Sequence, residues 1–183
     1  MGNLRTRNED AVFCNSHRQL WAVAHGMGAH NAGDYASEDI AQASTDLHLG
    51  NDLSDCVGGL EDAQLEAHDH LRRHARMHCN GQTAGSMVVA LVARGDTGVA
   101  LWGGDSRSYR IRSRELRLIT RDHNPISDLV DSFAVSVAEA LAAQTNIITL
   151  AIGGQCDLHL DVAVFDVQQE RCLVWNTVRR AGK

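Results

Sequence analysis

The sequence predicts an α+β fold built on antiparallel sheets. Three observations carry that prediction. Strand-like stretches come in blocks, with a block of two helical periodicities between the first and second strand blocks. The stretch SMVVALVA (86–93) is continuously apolar and rich in β-branched residues, as a strand covered on both faces should be. Gly95–Asp96 is a hairpin signal joining that stretch to the next. The predicted order is β-β-α-α-β-β-β-β-α-β-β, with elements grouped rather than alternating singly.

Taken in order, residues 10–15 (DAVFCN) and 19–24 (QLWAVA) read as two short strands joined by a polar turn at Ser16–His17–Arg18. Residues 32–48 read as a helix, because Ala36, Ile40, Ala43 and Leu47 follow the spacing of one buried face. A second helix is predicted over 59–79. Leu60, Ala63, Ala67, Leu71 and Ala75 line one side of it, with charges opposite. After 86–93, the stretches 97–104, 108–113 and 115–120 continue as an antiparallel meander. Residues 128–144 read as helical, and 160–167 and 171–175 as late strands.

Length and composition narrow the function. The 183 residues suffice for one domain with a sizeable core. No repeat or low-complexity linker divides the chain, and Pro125 is the only proline, so 1–183 reads as a single domain. With 4% aromatic residues, the core must be mostly Val, Leu, Ile and Ala. A net charge of −6 disfavours a general nucleic-acid binder, which needs excess Lys and Arg to neutralise phosphates. No window approaches the roughly 18 apolar residues of a membrane helix. The polar N-terminus carries no signal peptide, so the expectation is a cytoplasmic protein with no membrane partner. The five cysteines are scattered and form no C-x-x-C pair, which reads as reduced, buried thiols.

Four stretches stand out together. They are GNLRTRNED (2–10), WAVAHGMGAHNAGDYAS (21–37), WGGDSRSYRIRSRELRLITRDHN (102–124) and NIITLAIGG (146–154). In this order and spacing the chain resembles the bacterial branch of the metal-dependent protein phosphatases, the type 2C (PPM) family. The family pattern runs roughly G-x-x-R-x-x-N-E-D, A-D-G-M-G-G-H, G-T-T, G-D-S-R, L-T-x-D-H-S and N-x-I-T-R-A-I-G. The resemblance implies an α-β-β-α sandwich of two antiparallel sheets flanked by helices. It also implies Mn²⁺- or Mg²⁺-dependent hydrolysis of phosphoserine and phosphothreonine in proteins. Such ions are hard cations held by oxygen ligands, and a pair of them activates water for in-line attack on phosphorus.

Residue by residue, the resemblance makes Arg5 the phosphate-binding arginine, suited to bidentate contact with phosphate oxygens. Asp10 matches a metal-ligating aspartate, with Glu9 beside it in the outer shell. Gly26 matches the glycine whose backbone carbonyl ligates one metal. Asp105, in G-D-S-R, matches the aspartate of an additional metal site. Asp122 and His123 match the D-H pair, expected to be structural. His30 could donate a proton to the leaving group.

The pattern breaks at His25, which stands where the family has the aspartate that bridges the two metals. An imidazole cannot bridge two cations while adding negative charge. Thr177 falls where a later aspartate is expected, Leu150 replaces an arginine, and Gly85–Ser86–Met87 matches G-T-T only loosely. The chain also stops at Lys183 before the family's D-N motif, so the fold is expected to be incomplete at the C-terminus. The expectation is a phosphatase-like domain, weak or inactive, with Mn²⁺ or Mg²⁺ held weakly or at a single site by Asp10, Gly26, Asp105 and His25. A pseudophosphatase that binds or scaffolds a phosphoprotein in bacterial signalling is the alternative. A Zn²⁺ ion on His25, His30 and Asp10 is a further one, because imidazole suits zinc better than magnesium. Absent late strands would leave an open sheet edge, through which the chain would form a homodimer, borrow a strand or lose solubility.

Overall fold

A computed structural model of the chain describes residues 8–28, 32–45, 47, 50, 52–80, 82–125, 127, 130, 132, 136, 148–154 and 157–167, and the backbone of 172–176. Two antiparallel sheets pack together, and helices cover the outer face of the larger one. The larger sheet holds β1 (Asp10–Asn15), β2 (Leu20–Gly28), β3 (Ala84–Arg94), β4 (Thr97–Gly103) and β7 (Asp161–Asp166), side by side in that order. The smaller sheet runs β6 (Glu115–Leu118), β5 (Arg107–Arg112), β8 (Cys172–Asn176). The helices are α1 (Ala32–Thr45) and α2 (Leu53–His78). The helix expected over 128–144 lies almost wholly outside the described residues.

Central strand β3 is buried along all but its last residue, as its unbroken apolar run requires. Its Val88, Ala90 and Val92 join Leu20, Ala22, Ala24, Val99 and Leu101 against Ile40 of α1 and Leu60 and Leu71 of α2. Each of those fully buried leucines contributes about 2 kcal/mol by leaving water. On the opposite face, Val89, Ala100 and Trp102 pack with Val23, Ile119, Ala163 and Phe165. The Trp102 indole donates to the Arg121 carbonyl at 2.8 Å, so its one polar atom is satisfied.

Helix α2 starts well before the predicted residue 59. Asp52 caps it, accepting from the Asp55 N–H at 2.7 Å, and Cys56 is fully buried in the first turns. That cap and that burial outweigh the low helix propensity of Gly58–Gly59.

The predicted meander over 86–120 is split. β3 and β4 form a hairpin in the larger sheet, whereas β5 and β6 form one in the smaller. Between them the chain crosses from sheet to sheet at Gly104, where φ is +110° and an added Cβ would lie 2.4 Å from Met87 Cγ. Only glycine fits both demands. The β5–β6 loop is the residue pair Ser113–Arg114, with φ +50° and +67°, the left-handed geometry that matches strand twist.

Val12 of β1 is 70% exposed, and Cys14, on the same face, is exposed too. The expectation of buried thiols thus holds for Cys56 but not for Cys14, and Cys79 is half-buried. Among the described residues no helix is long and apolar enough to cross a membrane.

Candidate functional site

At one end of the sandwich the start of β1, the end of β2 and the sheet-crossing loop converge. The strand register decides what meets there. Asn15 pairs with Leu20 across a four-residue loop, which sets Asp10 opposite His25. The Gly26 N–H donates to the Glu9 carbonyl at 2.7 Å, so the adjoining Asp10–His25 pair is the non-hydrogen-bonded kind, in which opposed side chains come closest. The two side chains duly meet. Nδ1–H of His25 donates to Asp10 Oδ1, since an ionised carboxylate only accepts. His25 is 15% exposed and Asp10 42%, so the pair sits at the rim of the inter-sheet space.

Asp105 occupies the crossing loop. Burial and then the neighbouring Asp122 charge push its carboxyl above the usual carboxylate range, while His25 and Arg107 pull the other way. Asp105 thus lies within electrostatic reach of His25. Asp122 is itself held by Arg107 in a two-pronged ion pair, Nε to Oδ1 at 2.7 Å and Nη2 to Oδ2 at 2.6 Å. That bond raises the guanidinium pKa further and keeps Arg107 engaged with Asp122.

His123 is 5% exposed. Its N–H donates to the Gly104 carbonyl at 2.9 Å and its Nδ1 accepts from the Gly104 N–H at 3.0 Å. Nε2 faces Asp161 Oδ2 of β7 at 3.1 Å. The D-H pair therefore fastens the crossing loop, the structural role expected of it. Gly26 lies on the helix side of β2, where a Cβ would fall 1.7 Å from the Gly33 carbonyl oxygen. Its glycine identity is a packing requirement between β2 and α1. Arg5, His30 and Thr177 lie outside the described residues, so the structure places Asp10, His25, Gly26 and Asp105 only.

The donors among the described residues do not by themselves make up sites for a pair of hard divalent ions. Among the described residues no three His, Cys, Asp or Glu side chains are grouped to hold a metal. The carboxylate best placed for one, Asp10, is bonded to an imidazole. Two hard ions want several oxygen donors and anionic charge between them.

Sequence reasoning missed a second buried histidine. His68 of α2 is 5% exposed, and its Nδ1 accepts from the Gly153 N–H at 3.0 Å, tying the 151–154 turn to the helix. Burial first, and then the Arg72 charge, lowers its pKa. The signal was present. Leu60, Gln64, His68 and Leu71 share one helical face, of which periodicity alone marks only the apolar members as core.

Comparison with known proteins bears on the family and the fold. The sequence profile described as Protein phosphatase 2C matches residues 3–129. The chain is 30% identical to the serine/threonine phosphatase stp of Listeria welshimeri over 178 residues, which is 91% of this chain and 69% of that protein. It is also 30% identical to the serine/threonine protein phosphatase PstP of Mycobacterium tuberculosis over 84% of its own length, but spans only 30% of that protein. Among solved structures, PppA, a regulatory component of the type VI secretion system in Pseudomonas aeruginosa, superposes with a TM-score of 0.81 at 33% identity, covering 94% of this chain and 70% of that one. The catalytic domain of PstP in complex with two manganese ions superposes at 0.75 with 26% identity, covering 94% and 71%.

Proposed function

Because the chain belongs to the protein phosphatase 2C family, we propose that it is a serine/threonine phosphatase-type domain whose metal-dependent hydrolysis of phosphoproteins is weak or lost. The observation that carries this reading is the Asp10–His25 hydrogen bond. The family resemblance calls for two carboxylates at these facing strand positions, and the chain has one carboxylate bonded to an imidazole. This arrangement supports at most one weakly held Mn²⁺ or Mg²⁺, with Asp10 and the Gly26 carbonyl as its oxygen donors. The proposed partner is a cytoplasmic protein phosphorylated on Ser or Thr. The tied Asp10 favours a second reading, a pseudophosphatase that binds such a protein in bacterial signalling without turning it over.

Hydrolysis of a phosphothreonine peptide, with and without Mn²⁺, tests the reading on the native chain and on His25→Asp. The expected result is no Mn²⁺-dependent turnover by the native chain and at least a tenfold gain in the variant. Strong Mn²⁺-dependent turnover by the native chain would overturn it. If both are silent, saturable binding of the same peptide separates the pseudophosphatase from a fold without phosphopeptide affinity.

A further inference from the structure

The edge of the smaller sheet has an unusual self-complementarity. Strand β6 reads Glu115–Leu116–Arg117–Leu118, every residue is exposed, and on one side it pairs with β5. Among the described residues nothing pairs with its other side. The Ile119 N–H donates to the Ser108 carbonyl at 2.8 Å, which fixes the alternation of the ladder. In the register that joins Arg110 to Arg117 and Arg112 to Glu115, those pairs exchange the β5–β6 hydrogen bonds. The N–H and C=O groups of Leu116 and Leu118 therefore point away from β5. Their side chains are 61% and 49% exposed.

We infer that β6 is the seam of a homodimer, in which a second copy of this chain adds its own β6 antiparallel about a two-fold axis, Leu116 opposite Leu116. This register satisfies each constraint at once. The outward N–H and C=O of the two Leu116 residues bond each other. Glu115 then stands opposite Arg117 of the second copy, and Arg117 opposite Glu115. These are non-hydrogen-bonded pairs, where facing side chains approach most closely and opposite charges stabilise. Leu116 meets its copy on the other face, flanked by Leu118.

Charged side chains and shortness normally blunt a sheet edge. Here the two charges have opposite sign and are spaced so that the two-fold matches them. Two further arginines of the hairpin, Arg110 and Arg112, are already bonded to Asp166 at 3.0 and 2.5 Å. The seam would turn two three-stranded sheets into one continuous sheet. With so short a strand, the dimer is expected to be weak and concentration-dependent.

Sedimentation equilibrium of the full chain tests this. The native mass should climb from 19.9 kDa toward twice that value as concentration rises. Glu115→Arg and Arg117→Glu should each stay monomeric, because like charges then face across the seam. An equimolar mixture of the two should dimerise again, since each supplies what the other lacks. Leu116→Pro should also stay monomeric, as its outward N–H is lost and no intrachain bond goes with it. Circular dichroism on every variant establishes that each is folded. A native mass of 19.9 kDa at every concentration would overturn the inference. So would a dimer indifferent to both charge reversals, or monomeric variants that fail to associate when mixed.

Discussion

Replacing Arg107 with Met removes one half of the ion pair that anchors the sheet crossing. Asp122 is 15% exposed and Arg107 27%, and the contact is two-pronged at 2.7 and 2.6 Å. Removing one partner of a fully buried pair costs about 3–5 kcal/mol, because the other charge is stranded. The residual solvent access here scales that to about 2–3 kcal/mol, since water can partly rehydrate Asp122. The neighbouring Asp105 adds to the penalty, because two carboxylates then share a site with no guanidinium between them. For a urea dependence of about 2 kcal/mol/M, the unfolding midpoint should fall by about 1–1.5 M at neutral pH. Lowering the pH should recover part of the loss by protonating one carboxyl. The double variant Arg107→Met, Asp122→Leu should recover most of it, since no charge is left stranded. A midpoint shift under about 0.3 M in the single variant would refute the reasoning, because the pair would then be behaving as an exposed one.

Two other perturbations probe the same framework. Gly26→Ala would place a Cβ 1.7 Å from the Gly33 carbonyl oxygen, so it should prise α1 from β2 and cost about 3 kcal/mol or more, read from the urea midpoint. Gly33→Ala meets its nearest atom, Gly26 C, at 3.1 Å and should be milder. His68 supplies a pH dependence. Its folded pKa lies below the unfolded value of about 6.5, so the unfolded chain binds the extra proton and stability falls as pH drops below that value. The slope from this group reaches at most about 1.4 kcal/mol per pH unit. His68→Gln, which keeps an acceptor for the Gly153 N–H, should flatten the midpoint-versus-pH curve on the acid side, and an unchanged slope would exclude His68 as its source.

Periodicity located almost every described element, because the buried faces of α1, α2 and β3 are regular and their residues plainly apolar. Register was harder. The sequence reading closes the first hairpin with three residues, Ser16–His17–Arg18, which would set Asp10 opposite Ala24. The structure uses four, with Gln19 at φ +47°, and that single extra residue brings Asp10 to His25. A left-handed glutamine has no sequence signature, so the central contact of the site was invisible. The sheet switch at Gly104 was invisible for another reason. A short Gly-rich link reads as a hairpin turn, and only the position of Met87 shows that the chain leaves the sheet there. The D-H pair was legible by resemblance, but its physical role needed the Gly104 and Asp161 contacts.

The sheet switch has a consequence for how the chain is made. β4 waits for β7, with Thr97 joined to Asp166, and β5 waits for β8, with Arg107 joined to Asn176. Both partners are made well after β4 and β5, beyond residue 160. Until then the nascent chain can form its helices and local hairpins, yet it presents two unfinished strands on either side of Gly104 at the same moment. Such non-local closure slows folding and exposes the intermediate to mispairing. Stalling translation before residue 161 should therefore yield a species that chaperones hold. Emergence of β7 and β8 should engage β4 and β5 together rather than one after the other.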